Sequence, residues 1–248
     1  SWRHRVRRPR GVVVLSSGGL DSCALLAHEA AARSQVFPLF VSCGLIWEKA
    51  ELAALRRFLA ALPAGIARRV RPLRIAELPL GDLYGRHWST TGDGVPGWRA
   101  ADNSVYLPGR NIVLLTVAAI HAAMLGAPRI AIGPLRGNPF PDASPGFFSR
   151  MGSALSTGLD FPIRIDAPFQ RLDKEDLIRR FAAVPLALSL SCSRPRGERA
   201  CGACAKCRER VLAESSAAVS AEKPRRPRPG AARGGRRGVT AGSRAGRK

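Results

Sequence analysis

Val12-Val13-Val14-Leu15-Ser16-Ser17-Gly18-Gly19-Leu20-Asp21-Ser22 is the stretch whose reading decides the fold. A β-branched run over residues 11–15 ends on two serines and two glycines, and a helical pattern follows over about 20–33. This reads as strand, tight turn and helix. Adjacent glycines let the backbone approach a ligand closely and adopt conformations closed to other residues. The start of the following helix offers N–H groups without intrahelical acceptors and the positive end of the helix dipole, which suit an anion. Ser17 and Ser22 add hydroxyl donors. No Gly-Lys-Ser/Thr follows, which excludes a Walker loop, and the lack of Gly-x-Gly-x-x-Gly excludes the dinucleotide fingerprint. The competing reading is a capped turn in which serine or aspartate serves only the helix.

Working outward, residues 36–41 and 69–75 read as further strands, and 48–62 as a helix with Leu52, Leu55, Leu59 and Leu62 at helical spacing, ended by Pro63. Residues 79–104 are glycine-rich and polar without a clear period, a length that marks a functional or mobile loop. Residues 111–125 form a strongly apolar helix closed by Gly126. Then come a strand at 129–133, an irregular loop, a helix near 147–159, a strand at 162–165 and a helix at 174–182. Strands alternating with helices predict an α/β fold. It is expected to be a Rossmann-like three-layer sandwich with a mostly parallel five-stranded sheet, whose ligand sits beyond the carboxyl ends of the strands.

The net charge of +22 is concentrated at the ends. Residues 1–10 hold five arginines and no acid, and residues 215–248 hold ten Lys/Arg and one Glu, which leaves about +8 for the body. The tail from Ser215 is rich in Pro, Gly, Ala and Arg and nearly devoid of large apolar side chains, so it is expected to be disordered. It reads either as a weak polyanion contact or as a solvated extension, because no aromatic interleaves its charge to stack on bases. No run approaches the ~20 apolar residues of a membrane span. No apolar segment directly follows the basic start, which argues against a signal peptide. The expected location is the cytoplasm.

Cys201-Gly-Ala-Cys204-Ala-Lys-Cys207 gives two overlapping Cys-x-x-Cys pairs, with Cys192 nine residues upstream. In a reducing compartment such spacing favours metal over disulfide. Four thiolates complete a tetrahedral zinc shell, and an iron–sulfur cluster is the alternative. Arg199, Lys206 and Arg208 offset the anionic charge. Such a site pins the C-terminal segment to the domain. Cys23 and Cys43 lie in apolar surroundings and read as core packing. The chain therefore divides into a basic flexible N-terminus (1–10), an α/β domain (11–190), a zinc-binding segment (191–212) and a basic disordered tail (213–248).

The six-residue string from Ser17 to Ser22 resembles the loop of the ATP-pyrophosphatase superfamily, whose fold is that of the adenine nucleotide alpha hydrolases. These enzymes split ATP between its α and β phosphates, leave AMP on a substrate oxygen, and let a nitrogen or sulfur nucleophile displace it. The resemblance implies that Ser17, Gly18, Gly19 and Ser22 hold pyrophosphate, with Ser16 and Leu20 in the same nucleotide-binding loop. It implies that Asp21 orients the loop or a Mg2+ ion. Three features then occur together: this loop, Tyr106-Leu-Pro-Gly-Arg-Asn111 before an apolar helix, and Ser191-Cys192 followed by Cys201, Cys204 and Cys207. Together they resemble the 7-cyano-7-deazaguanine synthase family of the queuosine pathway. The likeness runs from about residue 11 to 210 and is close over 103–122. Ala167-Pro-Phe and Leu172-Asp-Lys174 are similar to a late segment of that family.

The resemblance implies a ligase that adenylates 7-carboxy-7-deazaguanine, forms the amide with ammonia, adenylates again and releases the nitrile. ATP, Mg2+ and Zn2+ are its cofactors. It implies that Arg110 and Asn111 face the nucleotide and substrate. Arg110 suits a phosphate or carboxylate. Lys174, after Asp173 at the expected helix cap, points at phosphate or is a solvated first-turn lysine. Trp88 and Trp98 either stack on a purine-like ring or pack the loop. The acceptor side departs from the family. The acidic Ser-Gly-Tyr-Pro-Asp-Cys-Arg-type segment is replaced over 133–146, where Pro141 and Asp142 alone are kept, and Tyr-Gly-Gln is replaced by Cys43-Gly44-Leu45. A different amine acceptor, a product left at the amide, a sulfur-transferring tRNA-modifying activity and a non-catalytic nucleotide-binding protein are the competing readings. The oligomeric state stays open, a homodimer included.

Overall fold

The computed structural model describes residues 11–32 and 35–222. A five-stranded sheet runs in the order β3-β2-β1-β4-β5, formed by Val12–Leu15, Val36–Ser42, Arg74–Glu77, Arg129–Ala131 and Arg164–Asp166 in chain order as β1 to β5. Every pairing is parallel, with Val12 opposite Val36 on one side and Arg129 on the other. All four β1 residues are buried, as expected of a central strand covered on both faces. Successive residues of that strand feed two separate cores. Val12 and Val14 pack with Leu25, Leu55, Phe58 and Leu177, whereas Val13 and Leu15 pack with Leu39, Leu115, Ala118 and Phe148. The period of two along a strand thus makes three layers.

Helices α1 (Leu20–Ala31) and α2 (Glu48–Ala60) cover the first face. One-turn helices follow at Ala64–Ala67 (α3), Gly81–Tyr84 (α4) and Trp88–Thr91 (α5). The second face is covered by α6 (Arg110–Leu125) and α7 (Pro145–Leu159). Ser144 caps α7 by accepting the Phe147 N–H at 3.2 Å, and Pro145 occupies its first turn. The short α8 (Lys174–Arg180) and the long α9 (Ala205–Glu222) close the molecule. The strand order reverses between β1 and β4, so the crevice expected at a topological switch point opens beside the Ser17–Ser22 turn.

Four local expectations are corrected. The third strand begins at Arg74 instead of residue 69, because the chain first touches β2 only through a Val36–Val70 bridge. The 79–104 segment carries two helical turns, and its end enters a 3-10 turn at Asp102–Val105. Asp173 sits at the α8 N-cap but makes no capping bond, its carboxylate pairing with Arg136 at 3.0 Å. The tail expected to be disordered from residue 213 is helical through Glu222. There α9 buries Ala213 and Ala217, small residues that leave no large apolar signature yet favour helix. The remaining tail and residues 1–10 lie outside the described residues. No helix among the described residues is long and apolar enough to cross a membrane.

Candidate functional site

The turn after β1 is built on Gly18, whose φ is +86°. A Cβ there would lie 2.2 Å from the Glu51 carbonyl oxygen, so only glycine fits both the dihedral and the space. The Ser22 hydroxyl organises the turn: it accepts the Ser17 and Gly18 N–H groups at 3.2 and 3.1 Å and donates to the Gly19 carbonyl at 3.0 Å. Ser17 Oγ accepts the Gly19 N–H at 3.2 Å. Ser17, Gly19, Asp21 and Ser22 all line a cavity of about 290 Å3, near the lower end of small-molecule sites. Ser16 also lines it, but its hydroxyl donates to the Val14 carbonyl at 2.8 Å and its N–H to the Leu39 carbonyl at 2.9 Å. The expected role of Ser16 as a ligand donor is therefore corrected, since both its donors are held within the sheet. Leu20 is a core side chain and offers only its N–H.

Asp21 and Lys174 meet across the cavity, 3.3 Å apart. Lys174 Nζ also pairs with Glu209 on α9, and Glu209 with Lys206 at 2.9 Å. Burial works against the Lys174 charge, but the Asp21 and Glu209 carboxylates outweigh it and raise its pKa. Burial likewise opposes ionisation of Glu209, yet Lys174 and Lys206 pull it down to about 2. Lys174 is thus a buried, charged hub and not a solvated lysine. Asp21 Oδ1 is buried without a hydrogen-bond partner among the described residues, a vacancy in bonding that a cation or a polarised donor fits.

Arg110 and Asn111 open α6 behind Gly109, whose φ is +74°. Arg110 lines the cavity and its Nε is buried without a partner among the described residues. Asn111 also borders the cavity, but its N–H donates to Asp142 Oδ2 and its amide to the Asp142 carbonyl and Oδ1, all at 3.1–3.3 Å. Its side-chain NH2 group thereby fastens the 133–146 loop to α6. Trp88 lines the cavity and stacks on Trp47, centroids 5.5 Å apart, while Tyr106 stacks on Phe140 at 4.9 Å. Trp98 is not among the lining residues.

Two acids of α2, unmarked in the sequence reading, enter the cavity. Glu48 is saturated, accepting the Cys43 and Gly44 N–H groups and the Ser42 hydroxyl at 2.9–3.0 Å. Glu51 has no such partners among the described residues; burial pushes it up to about 8, with Arg110 opposing. Their place just after β2, at the carboxyl edge of the sheet, was the signal that could have marked them. Cys23 and Cys43 are core residues, and burial raises both thiols, Cys43 to about 11.

Cys192, Cys201, Cys204 and Cys207 bring their sulfurs within 4.8 Å of one another. The separations of 3.8 Å (201–207), 3.5 Å (204–207) and 4.0 Å (192–204) match the roughly 3.8 Å edge of a tetrahedron with Zn–S near 2.3 Å. Backbone N–H groups of Ser193, Cys201 and Ala203 donate to these sulfurs at 3.3–3.4 Å, which favours thiolates. The set fits a structural zinc ion. Cys192 also borders the cavity.

The family model described as "Queuosine biosynthesis protein QueC" matches residues 11–217. A 7-cyano-7-deazaguanine synthase of Anaeromyxobacter dehalogenans is 36% identical over 213 residues, covering 80% of this chain and 88% of its own. One of Thiobacillus denitrificans is 38% identical over 209 residues, covering 80% and 90%. One of Picrophilus torridus is 32% identical over 208 residues, covering 79% and 83%. Among solved structures, a 4-thiouridine synthetase–RNA complex with bound ATP aligns at 16% identity and a TM-score of 0.44, over 84% of this chain and 53% of that one, which is too distant to bear on chemistry. By the extent of the model match and of these relatives, the chain belongs to the family of queuosine biosynthesis proteins QueC.

Proposed function

We propose that the chain is an ATP-dependent carbon–nitrogen ligase. It adenylates the carboxylate of 7-carboxy-7-deazaguanine, converts it with ammonia to the amide, and adenylates the amide again to release the nitrile. The observation that carries this reading is one cavity holding the Ser17–Ser22 turn, an unpartnered Asp21 oxygen, a charged Lys174 and an unpartnered Arg110 donor. Membership of a family whose relatives are named 7-cyano-7-deazaguanine synthase supports the substrate class.

In this reading the polyphosphate lies at the mouth of α1 against the Ser17–Ser22 turn, which Ser22 holds in shape, and the Ser17 hydroxyl and the positive end of the helix dipole meet it. Lys174 and Arg110 offset charge that develops as the bond between the α and β phosphates breaks. Asp21 Oδ1 would hold Mg2+, which would neutralise phosphate charge when bound. Cys192, Cys201, Cys204 and Cys207 would hold Zn2+, which braces the C-terminal segment. Ammonia attacks the activated carboxyl carbon, the C–N bond forms, and AMP leaves with the electron pair of its oxygen. The stacked pairs Trp47–Trp88 and Tyr106–Phe140 give the acceptor a flat aromatic wall. A solvent-exposed, acidified thiol of the kind needed for sulfur transfer is not found at Cys23 or Cys43, whose thiols are buried. The replaced 133–146 segment favours, as the second reading, a ligase that stops at the amide or serves another amine.

Incubation with ATP, ammonia and 7-carboxy-7-deazaguanine tests the proposal by product mass. A product one water lighter than the amide supports the full reaction, and the amide alone supports the second reading. No pyrophosphate–ATP exchange with substrate present would refute both.

A further inference from the structure

The hydroxyl of Ser191 stands where the ligand of α1 is expected. Leu20 N–H, one of the helix's first donors with no intrahelical acceptor, donates to Ser191 Oγ at 3.3 Å. Ser191 lines the cavity, and its own hydroxyl proton has no acceptor among the described residues. The oxygen is therefore held by the loop while its proton is free to donate to an anion bound beside it. The neighbouring residue Leu190 donates its N–H to the Gly18 carbonyl at 2.9 Å, which fixes the same strand of chain to the glycine turn.

The other end of that chain is the thiolate cluster. Cys192 follows Ser191 directly and accepts the Cys201 N–H, and Ser193 donates to Cys204 Sγ. Residues 190–193 are thus strapped between the glycine turn and four sulfurs. A bound metal ties the four sulfurs, and with them residues 190–193, to one point, and without it that anchor of the strap is gone.

Resting on the ligase reading above, we propose that Ser191 contacts the nucleotide's phosphates, and that metal occupancy of the four-cysteine cluster sets ATP affinity through it. The cluster then does more than fold the C-terminal segment: it delivers one of the nucleotide's ligands.

The test measures ATP affinity of the zinc-loaded full chain by calorimetry, for wild type, Ser191→Ala and Ser191→Thr, before and after treatment with a zinc-selective chelator. Ser191→Ala is expected to weaken ATP by about tenfold, the scale of one hydrogen bond to a charged group, with zinc content and unfolding temperature unchanged. Ser191→Thr restores affinity to within about threefold. Chelation weakens ATP at least about tenfold in wild type, and much less in Ser191→Ala, because the two changes act through one contact. Wild-type affinity in Ser191→Ala, loss of zinc from that variant, or equal chelation effects in both proteins would overturn the inference. A wild-type protein that binds no ATP would instead overturn the ligase reading.

Discussion

Lys174 Nζ lies 3.3 Å from Asp21 Oδ2 and, on its other side, pairs with Glu209, so one buried ammonium links the glycine turn to the last helix. Removing the charge strands Asp21 and leaves Glu209 with Lys206 alone. Lys174→Met, which keeps the length of the side chain, is expected to cost about 3 kcal/mol of stability, the usual result of breaking a buried pair. It also removes the charge needed at the phosphates. Denaturant unfolding and pyrophosphate–ATP exchange check the two effects.

The same triad sets an acid limit. Glu209 is held at about 2, against an ordinary 4.5, so its folded form binds fewer protons than its unfolded form between those values. The stability it contributes is present above about pH 4.5 and is lost as pH falls toward 2. An acid titration of unfolding should show this slope in wild type and a shallower one in Lys174→Met.

Glu51 predicts the opposite slope. Its folded pKa is raised from 4.5 to about 8, so its contribution is full below pH 4.5 and is lost as pH rises through about 8. Arg110, Glu48 and Lys206 are the charged groups that act on it. Glu51→Gln keeps the shape and removes the titration. It is expected to stabilise the fold at pH 8 by at least about 1 kcal/mol relative to wild type, and by little at pH 5. Unfolding curves at the two pH values decide this.

Asp21→Asn leaves Lys174 paired with Glu209 and deletes the charge behind the unpartnered Oδ1. Exchange between pyrophosphate and ATP should fall by about 100-fold or more, while the unfolding midpoint stays near wild type. Exchange at the wild-type rate would remove Asp21 from the site.

Cys204→Ser takes a buried sulfur from between Cys192 and Cys207. Metal analysis should find the zinc lost, and thermal unfolding should begin about 5 °C or more lower. Chelation of the wild type should reproduce the shift.

The elements legible in the sequence are those with strong local signals. Residues Val12–Leu15, the paired glycines and α1 announce themselves by a β-branched run, a turn and a period of 3.6. The cysteines do so by spacing alone. What escaped depended on partners distant in sequence. Asn111 matches a motif, but its side chain is committed to Asp142, 31 residues away. Ser16 sits in the loop, yet the sheet occupies its donors. Ser191 and Glu209 gain meaning only where α9 returns to the glycine turn. Helix α9 carries no such signal, because the residues that bury its second half are the alanines Ala213 and Ala217 instead of leucines.

The 2.2 Å that would separate a Cβ on Gly18 from the Glu51 carbonyl also bears on how this chain can be varied. The obstacle is main chain of a neighbouring helix, so trimming a side chain elsewhere cannot relieve it. A library randomised at position 18 and selected for folded protein should return glycine codons alone, whatever second-site changes accompany it.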